Sequence, residues 1–316
     1  MVTLIQLEYI IAVDTHRHFA KAAQKCFVTQ PTLSMQIKKL EEHLGVVIFD
    51  RSKQPVVPTA IGEKIIEQSR IILRESHKLP QIINSFNDFV KGHLTIGILP
   101  TLGPYLVPQI AGSFTEAYPA ISIHIKELNP KELLNGLKKD VIDLGITAAP
   151  VLDDTLFTKS LFFEEIMLYV NEGKYLKKTD DHISIDELDK SILKIVSKEH
   201  PLRQDTLQLA AYLKNTNGKT FFKYEGDSIE TLKLLVEKEG GFTFIPEMSA
   251  KAHQRTQSAR YMHLKDFKPL REIVMVVTKQ NPNERLANLL AKHIKENVTP
   301  SLLNQSRGKV IGSLYE

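Results

Sequence analysis

The sequence predicts a mixed fold in three parts: an N-terminal helical module with a small β wing, a long linker helix, and a C-terminal α/β domain of two lobes. Three observations lead there. Over residues 1–60 apolar residues recur at helical spacing, and the segment closes on two short β-prone runs around a basic tip. A near-heptad apolar stripe then runs from Ile61 to Val90, within a linker placed at 61–92. From His93 to residue 300 strand and helix patterns alternate, leaving 301–316 as a C-terminal tail.

Leu7, Ile10, Ile11 and Asp14 open the first helix, with the apolar members on one side. HFAKAAQKCF is a short second helix whose small residues, Ala20 and Ala23, allow a neighbour to approach closely. Val28-Thr29-Gln30-Pro31-Thr32 reads as a helix start: the Thr29 hydroxyl can cap free amides, and Pro31 is tolerated in a first turn. The third helix points Leu33, Ile37, Leu40 and Leu44 inward, and Gly45 stands where a left-handed cap is wanted. Its other face carries Gln30, Thr32, Ser34, Gln36, Lys38 and Lys39. Short amides and hydroxyls reach base edges in a major groove, and a helix N-terminus favours phosphate. Alone, such a face equally suits an ordinary solvated helix.

The next segment shifts the balance. Val46-Val47-Ile48-Phe49 and Pro55-Val56-Val57-Pro58 flank Asp50-Arg51-Ser52-Lys53-Gln54, which reads as a hairpin with a basic tip. Arg51 and Lys53 suit a sugar-phosphate backbone or minor groove. Residues 15–64 hold the bases Arg17, Lys21, Lys25, Lys38, Lys39, Arg51, Lys53 and Lys64 against only Glu41, Glu42, Asp50 and Glu63. A helix-turn-helix followed by a wing points to double-stranded DNA.

Thr59 caps the linker, whose apolar positions are Ile61, Ile65, Ile72, Leu79, Ile83, Phe86 and Val90. At about thirty residues it spans roughly 45 Å. One small domain cannot cover such a stripe, so a second copy is expected to supply the partner helix. Pro80 removes an amide, predicting a bend or break near Lys78–Pro80.

In the C-terminal half, HLTIGILP, ISIHIKEL and DLGITA read as strands separated by helical LVPQIAGSFTEAYP and PKELLNGLKK. A second unit follows LFFEEIMLYV, with SILKIVS and TFFKYEG as strands and RQDTLQLAAYLK and SIETLKLLVEKEG as helices. GFTFIP, EIVMVVTK and helical NERLANLLAKHIKEN complete the chain. This places lobe I at 93–163 and 270–300 and lobe II at 164–269, with crossings at Phe163–Leu168 and Lys265–Arg271. Ligands settle where strand ends and helix starts converge between such lobes. The candidates there are Thr101, Asn129, Thr147, Ser197, His200, Arg203 and Ser228, each of which has a plainer role open to it, such as a helix cap for Ser228.

Composition sets outer bounds. The chain has 316 residues, 42% hydrophobic and 25% charged, with a formal charge of +4, which permits an acidic partner without demanding one. A single cysteine, Cys26, excludes an intrachain disulfide framework and a Cys-rich zinc module. MVTLIQLEYIIAV lacks a basic start and a cleavage site, and no apolar run would span a bilayer, so a cytoplasmic protein without membrane contacts is expected. A solute-binding protein would suit the C-terminal half but not the wing or linker. No glycine-rich phosphate loop, H-E-x-x-H, G-x-S-x-G or metal-spaced His/Cys set argues for an enzyme, a cofactor or a metal.

FAKAAQKCFVTQPTLSMQIKKLEEHLGVVIFDR followed by PTAIGE resembles the DNA-binding module of the LysR-type transcriptional regulators. Thr29, Gln30, Leu33, Ser34, Ile37, Leu40, Glu41, Leu44, Gly45, Phe49, Arg51, Thr59 and Gly62 all stand in the family register. The resemblance implies a winged helix-turn-helix with Gln30, Pro31, Thr32, Ser34 and Lys38 facing DNA. It also implies a type 2 periplasmic-binding-protein-like sensor for a small effector, homodimers or homotetramers joined through the linker, and RNA polymerase as a further partner. LEYIIAVDTHRHFAKAA, GILPTLGPYLVPQI, EHPLRQD and GGFTFIPE look most like the OxyR branch, which senses peroxide with a cysteine pair. Pro201 stands where the attacking cysteine would be and Ala210 about where the resolving one would be, so a disulfide switch is not expected.

Overall fold

The computed structural model describes residues 1–85, 90–171, 181–195, 200, 202–211, 228–251 and 259–311. They divide into two compact units, Met1–Val90 with Gln280–Pro282, and Lys91–Lys279 with Asn283–Glu316.

In the first unit α1 (Leu4–His16) begins at a capping box between Thr3 and Gln6. Helix α2 (Phe19–Lys25) follows, then α3 (Gln30–Leu44), capped by Thr29 and closed by Gly45 at φ 69°. Leu33, Ile37 and Leu40 are fully buried against Leu7, Ile10 and Val13. Leu44, in the last turn, is exposed rather than inward. The wing is shorter than its sequence suggests: β1 (Phe49–Asp50) pairs antiparallel with β2 (Val57–Pro58). The Glu41 carboxylate takes the amides of Ile48 and Phe49, at 2.8 and 3.3 Å, and so anchors the wing root to α3.

Helix α4 (Ala60–Ser85) starts where the Thr59 hydroxyl accepts from the Gly62 amide and donates to the Val47 carbonyl. It continues through Pro80, so the proline does not split it in two. Phe86 lies outside the described residues. The buried face of α4 is Ile66, Ser69, Arg70 and Leu73, whereas Ile61, Ile72 and Leu79 of the expected stripe point outward. Arg70 reaches across to Asp14 at 2.8 Å, and Asp14 also pairs with Arg17 at 2.7 Å.

The second unit has two lobes. In lobe I, β3 (Gly92–Ile98), β4 (Ile121–Glu127) and β5 (Leu144–Ala148) are parallel, with α5 (Gly103–Ala117) and α6 (Pro130–Lys138) as crossovers. The 16-residue β6 (Leu156–Asn171) belongs to both lobes. Its first part, to Glu165, pairs with β10 (Pro269–Thr278), itself antiparallel to β5. From Ile166 on it pairs antiparallel with β8 (Phe242–Pro246) and β9 (Ala259–Leu264), and β9 also carries β7 (His182–Ile183). The chain crosses between lobes at Glu165–Ile166 of β6 and between Leu264 and Pro269. Helices α7 (Arg203–Ala210), α8 (Ile229–Glu239) and α9 (Glu247–Lys251) complete the described part of lobe II.

SILKIVS is a correction. It forms a 3-10 turn at Lys190–Ile192 and one parallel bridge, Leu193 to Phe242, as far as it is described. The Thr243 hydroxyl takes the Lys194 carbonyl that a continued ladder would have used. TFFKYEG lies outside the described residues. After α10 (Glu284–Asn297) the segment read as a tail forms two 3-10 turns and β11 (Lys309–Val310), parallel to the start of β10.

Candidate nucleic-acid interface and effector site

The N-terminal end of α3 is open to solvent. Thr29, Gln30, Pro31 and Lys38 are exposed, and Thr32 and Ser34 are half-buried. Thr29 is occupied by its cap, with its hydroxyl 2.8 Å from that of Thr32. Lys38 meets Glu42 at 3.8 Å on an exposed turn, a pair worth roughly 0.3–0.5 kcal/mol that a phosphate can displace. Gln36 stands apart from this set: its carboxamide and carbonyl accept from Gln6 of α1, at 3.4 and 3.5 Å, so it braces the head.

Arg51 is exposed at the wing and bonded back to α3. Its guanidinium donates to Ser34 at 3.1 Å and to Glu41 at 3.0 Å, and stacks 4.9 Å from the Phe19 ring centre. It therefore clamps the wing root to α3, with the Ser34 oxygen as acceptor. Lys53, mostly exposed and 3.8 Å from Asp50, is the tip cation. Side-chain and backbone bonds from Ser52 hold the Asp50 carboxyl below its ordinary range.

In the second unit a charged cluster is closed inside the crossings. Arg271 of β10, 1% exposed, donates through Nε to Glu164 of β6 at 2.8 Å and through a terminal nitrogen to Thr101 at 3.4 Å. Glu164 is fully buried and also accepts from the Met248 amide at 3.3 Å. Asp205 of α7 faces this pair. Burial pushes its carboxyl up to about 6, with Arg271 opposing and Glu164 adding to the shift. On another edge Tyr105 of α5 donates to Glu230 of α8 at 2.8 Å, and Lys233 donates to Glu230 at 2.9 Å and to the Ser249 carbonyl at 3.0 Å. Burial raises the Tyr105 phenol and lowers the Lys233 ammonium.

Of the sequence candidates, Thr101 joins the charged cluster directly and Thr147 is buried in β5. His200 is buried, its Nδ1 accepting from the Leu202 amide at 3.1 Å, and Arg203 opens α7. Asn129 and Ser228 cap α6 and α8, their side chains accepting from the Glu132 and Thr231 amides. Ser197 lies outside the described residues. Glu164, Arg271 and Asp205 were missed, although LFFEEIMLYV carried a signal. Acids inside an apolar run are buried, and buried charges need partners.

Asp205 supports a sign-specific prediction. Its folded value near 6 exceeds the ordinary 3.8, so the folded chain holds an extra proton between those values and stability falls as pH rises through them. Asp205→Asn should remove that fall and raise stability at pH 7 by up to about 3 kcal/mol. Urea denaturation across this pH range checks it; an unchanged slope would remove Asp205 as the cause.

Cys26 is half-buried, and burial raises its thiol above the usual value, which disfavours the reactive thiolate. Ala210 is packed in the lobe II core. Among the described residues no group of three or more His, Cys, Asp or Glu is placed to hold a metal, and no helix is long and apolar enough to cross a membrane.

Comparison with known proteins agrees with both halves of this architecture. Residues 4–63 match the bacterial regulatory helix-turn-helix protein, lysR family, and residues 87–299 match the LysR substrate binding domain. The hydrogen peroxide-inducible genes activator of Pectobacterium carotovorum is 30% identical over 293 residues, covering 92% of this chain and 96% of the relative. The DNA-binding transcriptional dual regulator OxyR of Escherichia coli is 29% identical, covering 92% and 93%. A full-length OxyR variant from Pseudomonas aeruginosa superposes with a TM-score of 0.79 at 27% identity, over 94% of this chain and 99% of that one. A helix-turn-helix head, a two-lobed α/β effector-binding domain and these matches together place the chain in the LysR family of DNA-binding transcriptional regulators, where it is similar to the OxyR proteins.

Proposed function

We propose that this chain reads promoter DNA with Gln30, Pro31, Thr32, Ser34 and Lys38, and that its sensor lobes answer a small effector by a route other than a cysteine pair. The observation that carries the first part is the open polar end of α3 with Arg51 clamped beside it. Gln30 and Ser34 are the base readers, Lys38 and Lys53 neutralise phosphates, and Arg51 fixes the wing. Homo-oligomers form through α4, whose exposed Ile61, Ile72 and Leu79 are the apolar positions a partner helix would cover. RNA polymerase is the further partner at the promoter.

The effector is seated against the Thr101–Arg271–Glu164–Asp205 cluster. Among the described residues that cluster holds two carboxyls to one guanidinium, and the guanidinium is already engaged. This favours an uncharged polar molecule over the anion that a lone arginine would attract. The absence of cysteine at Pro201 and Ala210, with the raised thiol of Cys26, supports a route without sulfur.

Footprinting on the DNA upstream of the chain's own gene tests the reading. Gln30→Ala should lower affinity for the protected site by about 1–3 kcal/mol and leave random duplex unaffected, whereas Lys53→Ala should weaken both alike and flatten the salt dependence. Equal affinity of the parent chain for the protected site and random duplex at physiological salt would sink it.

A further inference from the structure

We infer that the segment after α10, residues 300–311, is a third tether between the sensor lobes, added to the two strand crossings, and that it limits how far the lobes can swing. Its root is in lobe I, because α10 runs directly into it and Phe114 of α5 and His293 of α10 meet edge to face. Its far end is in lobe II: Ile311, 1% exposed, belongs to the same core as Ile166, Phe244 and Leu264.

Between those ends the segment touches both crossings. At the second, β11 lies parallel to Pro269 and Leu270, with the Lys309 amide donating to the Lys268 carbonyl and the Ile311 amide to the Leu270 carbonyl, each at 2.8 Å. At the first, Arg307 donates to the Phe163 carbonyl of β6 at 2.9 Å and also pairs with Glu247 of α9. The same Glu247 oxygen accepts from the Glu165 amide at 3.2 Å. One guanidinium and one carboxylate thus bind the residues on either side of Glu164, where β6 passes between lobes. Gly308 allows the close seat, since a Cβ there would lie 2.4 Å from the Lys268 carbonyl oxygen.

Two crossing strands alone can flex together as a hinge, because both bend at the same level. A third connection, bonded to each of them and anchored in both cores, removes part of that freedom. The lobes then hold one resting angle, and an effector that opens them must first displace Arg307 from Glu247 and Phe163. This inference concerns lobe motion and stands whatever molecule the cluster at Arg271 binds.

The lone cysteine makes the test direct. On a Cys26→Ser background, spin labels at Glu116→Cys in α5 and Lys238→Cys in α8, both exposed, report the distance between lobes. Labelled full-length chains are diluted with unlabelled cysteine-free chains so that only distances within one protomer are read. The parent should give one narrow distribution, and Arg307→Ala, Arg307→Gln and Gly308→Ala should at least double its width. Hydrogen exchange at the Glu165 amide should rise roughly ten-fold in the Arg307 variants, with the β3–β4 amides unchanged. Variants are scored only where they melt cooperatively. A parent-like distribution in every cooperative variant overturns the tether. So does failure of all three to melt cooperatively, which would make the segment a folding staple instead.

Discussion

Glu164→Ala is expected to destabilise the sensor unit by about 3–5 kcal/mol, the range for removing one partner of a buried ion pair. Arg271 and Glu164 are 1% and 0% exposed, so neither has water to fall back on. The substitution leaves the buried guanidinium without its bonded carboxylate and takes an acceptor from the Met248 amide. Glu164→Gln keeps an oxygen for both donors and should cost less. A second reading separates this account from simple loss of packing. Glu164 raises the Asp205 carboxyl, so removing it should bring that group down from about 6, and the stability slope between roughly pH 4 and 6 should shrink. Urea denaturation at several pH values measures both. A loss below about 1 kcal/mol, the scale of a surface pair, would show that the cluster is wetter than its burial indicates.

Gly62→Ala should cost about 3 kcal/mol, nearly all of it in the N-terminal unit. A methyl at that position would lie 2.1 Å from the Ile48 carbonyl oxygen, a backbone atom fixed by the wing root. Overpacking against backbone costs roughly 1–3 kcal/mol, and displacing α4 also loosens the Thr59 cap, worth about 1 kcal/mol. The Thr59 hydroxyl bridges the Gly62 amide and the Val47 carbonyl, so the first turn of α4 and the approach to the wing move together. The variant should melt earlier and lose affinity for specific DNA, whereas Thr59→Ala should show about a third of the stability loss. Unchanged melting of the N-terminal unit would mean that the wing root yields more readily than its bonds to Glu41 suggest.

The sequence by itself determined the helices of the N-terminal head and the strand-helix alternation of lobe I, but not the path of SILKIVS or of the segment after α10. Thr29 and Gly45 at the ends of α3, the inward Leu33, Ile37 and Leu40, and the apolar runs of β3, β5 and β8 act over a few residues. Caps and periodicity make such signals readable without the rest of the chain. The Thr-x-x-Gly pattern at Thr59 and Gly62 was also legible, though only its contact with Ile48 explains the glycine.

Tertiary structure decided which of those residues are available. Two polar positions on α3 look alike in sequence, yet Gln36 is bonded to Gln6 while Gln30 is open. Asn129 and Ser228 became caps, and Arg51, still exposed, is bonded to Ser34 and Glu41. Of the stripe on α4, Ile61, Ile72 and Leu79 face outward while Ile65 packs on the head core, and Arg70 on the inner side is held by Asp14 from 56 residues away. Likewise Arg271 finds Thr101 and Glu164 at separations of 170 and 107 residues. No local pattern encodes such partners. They are chosen by close packing and by the cost of burying a charge without an opposite one, and both act only once the chain has folded.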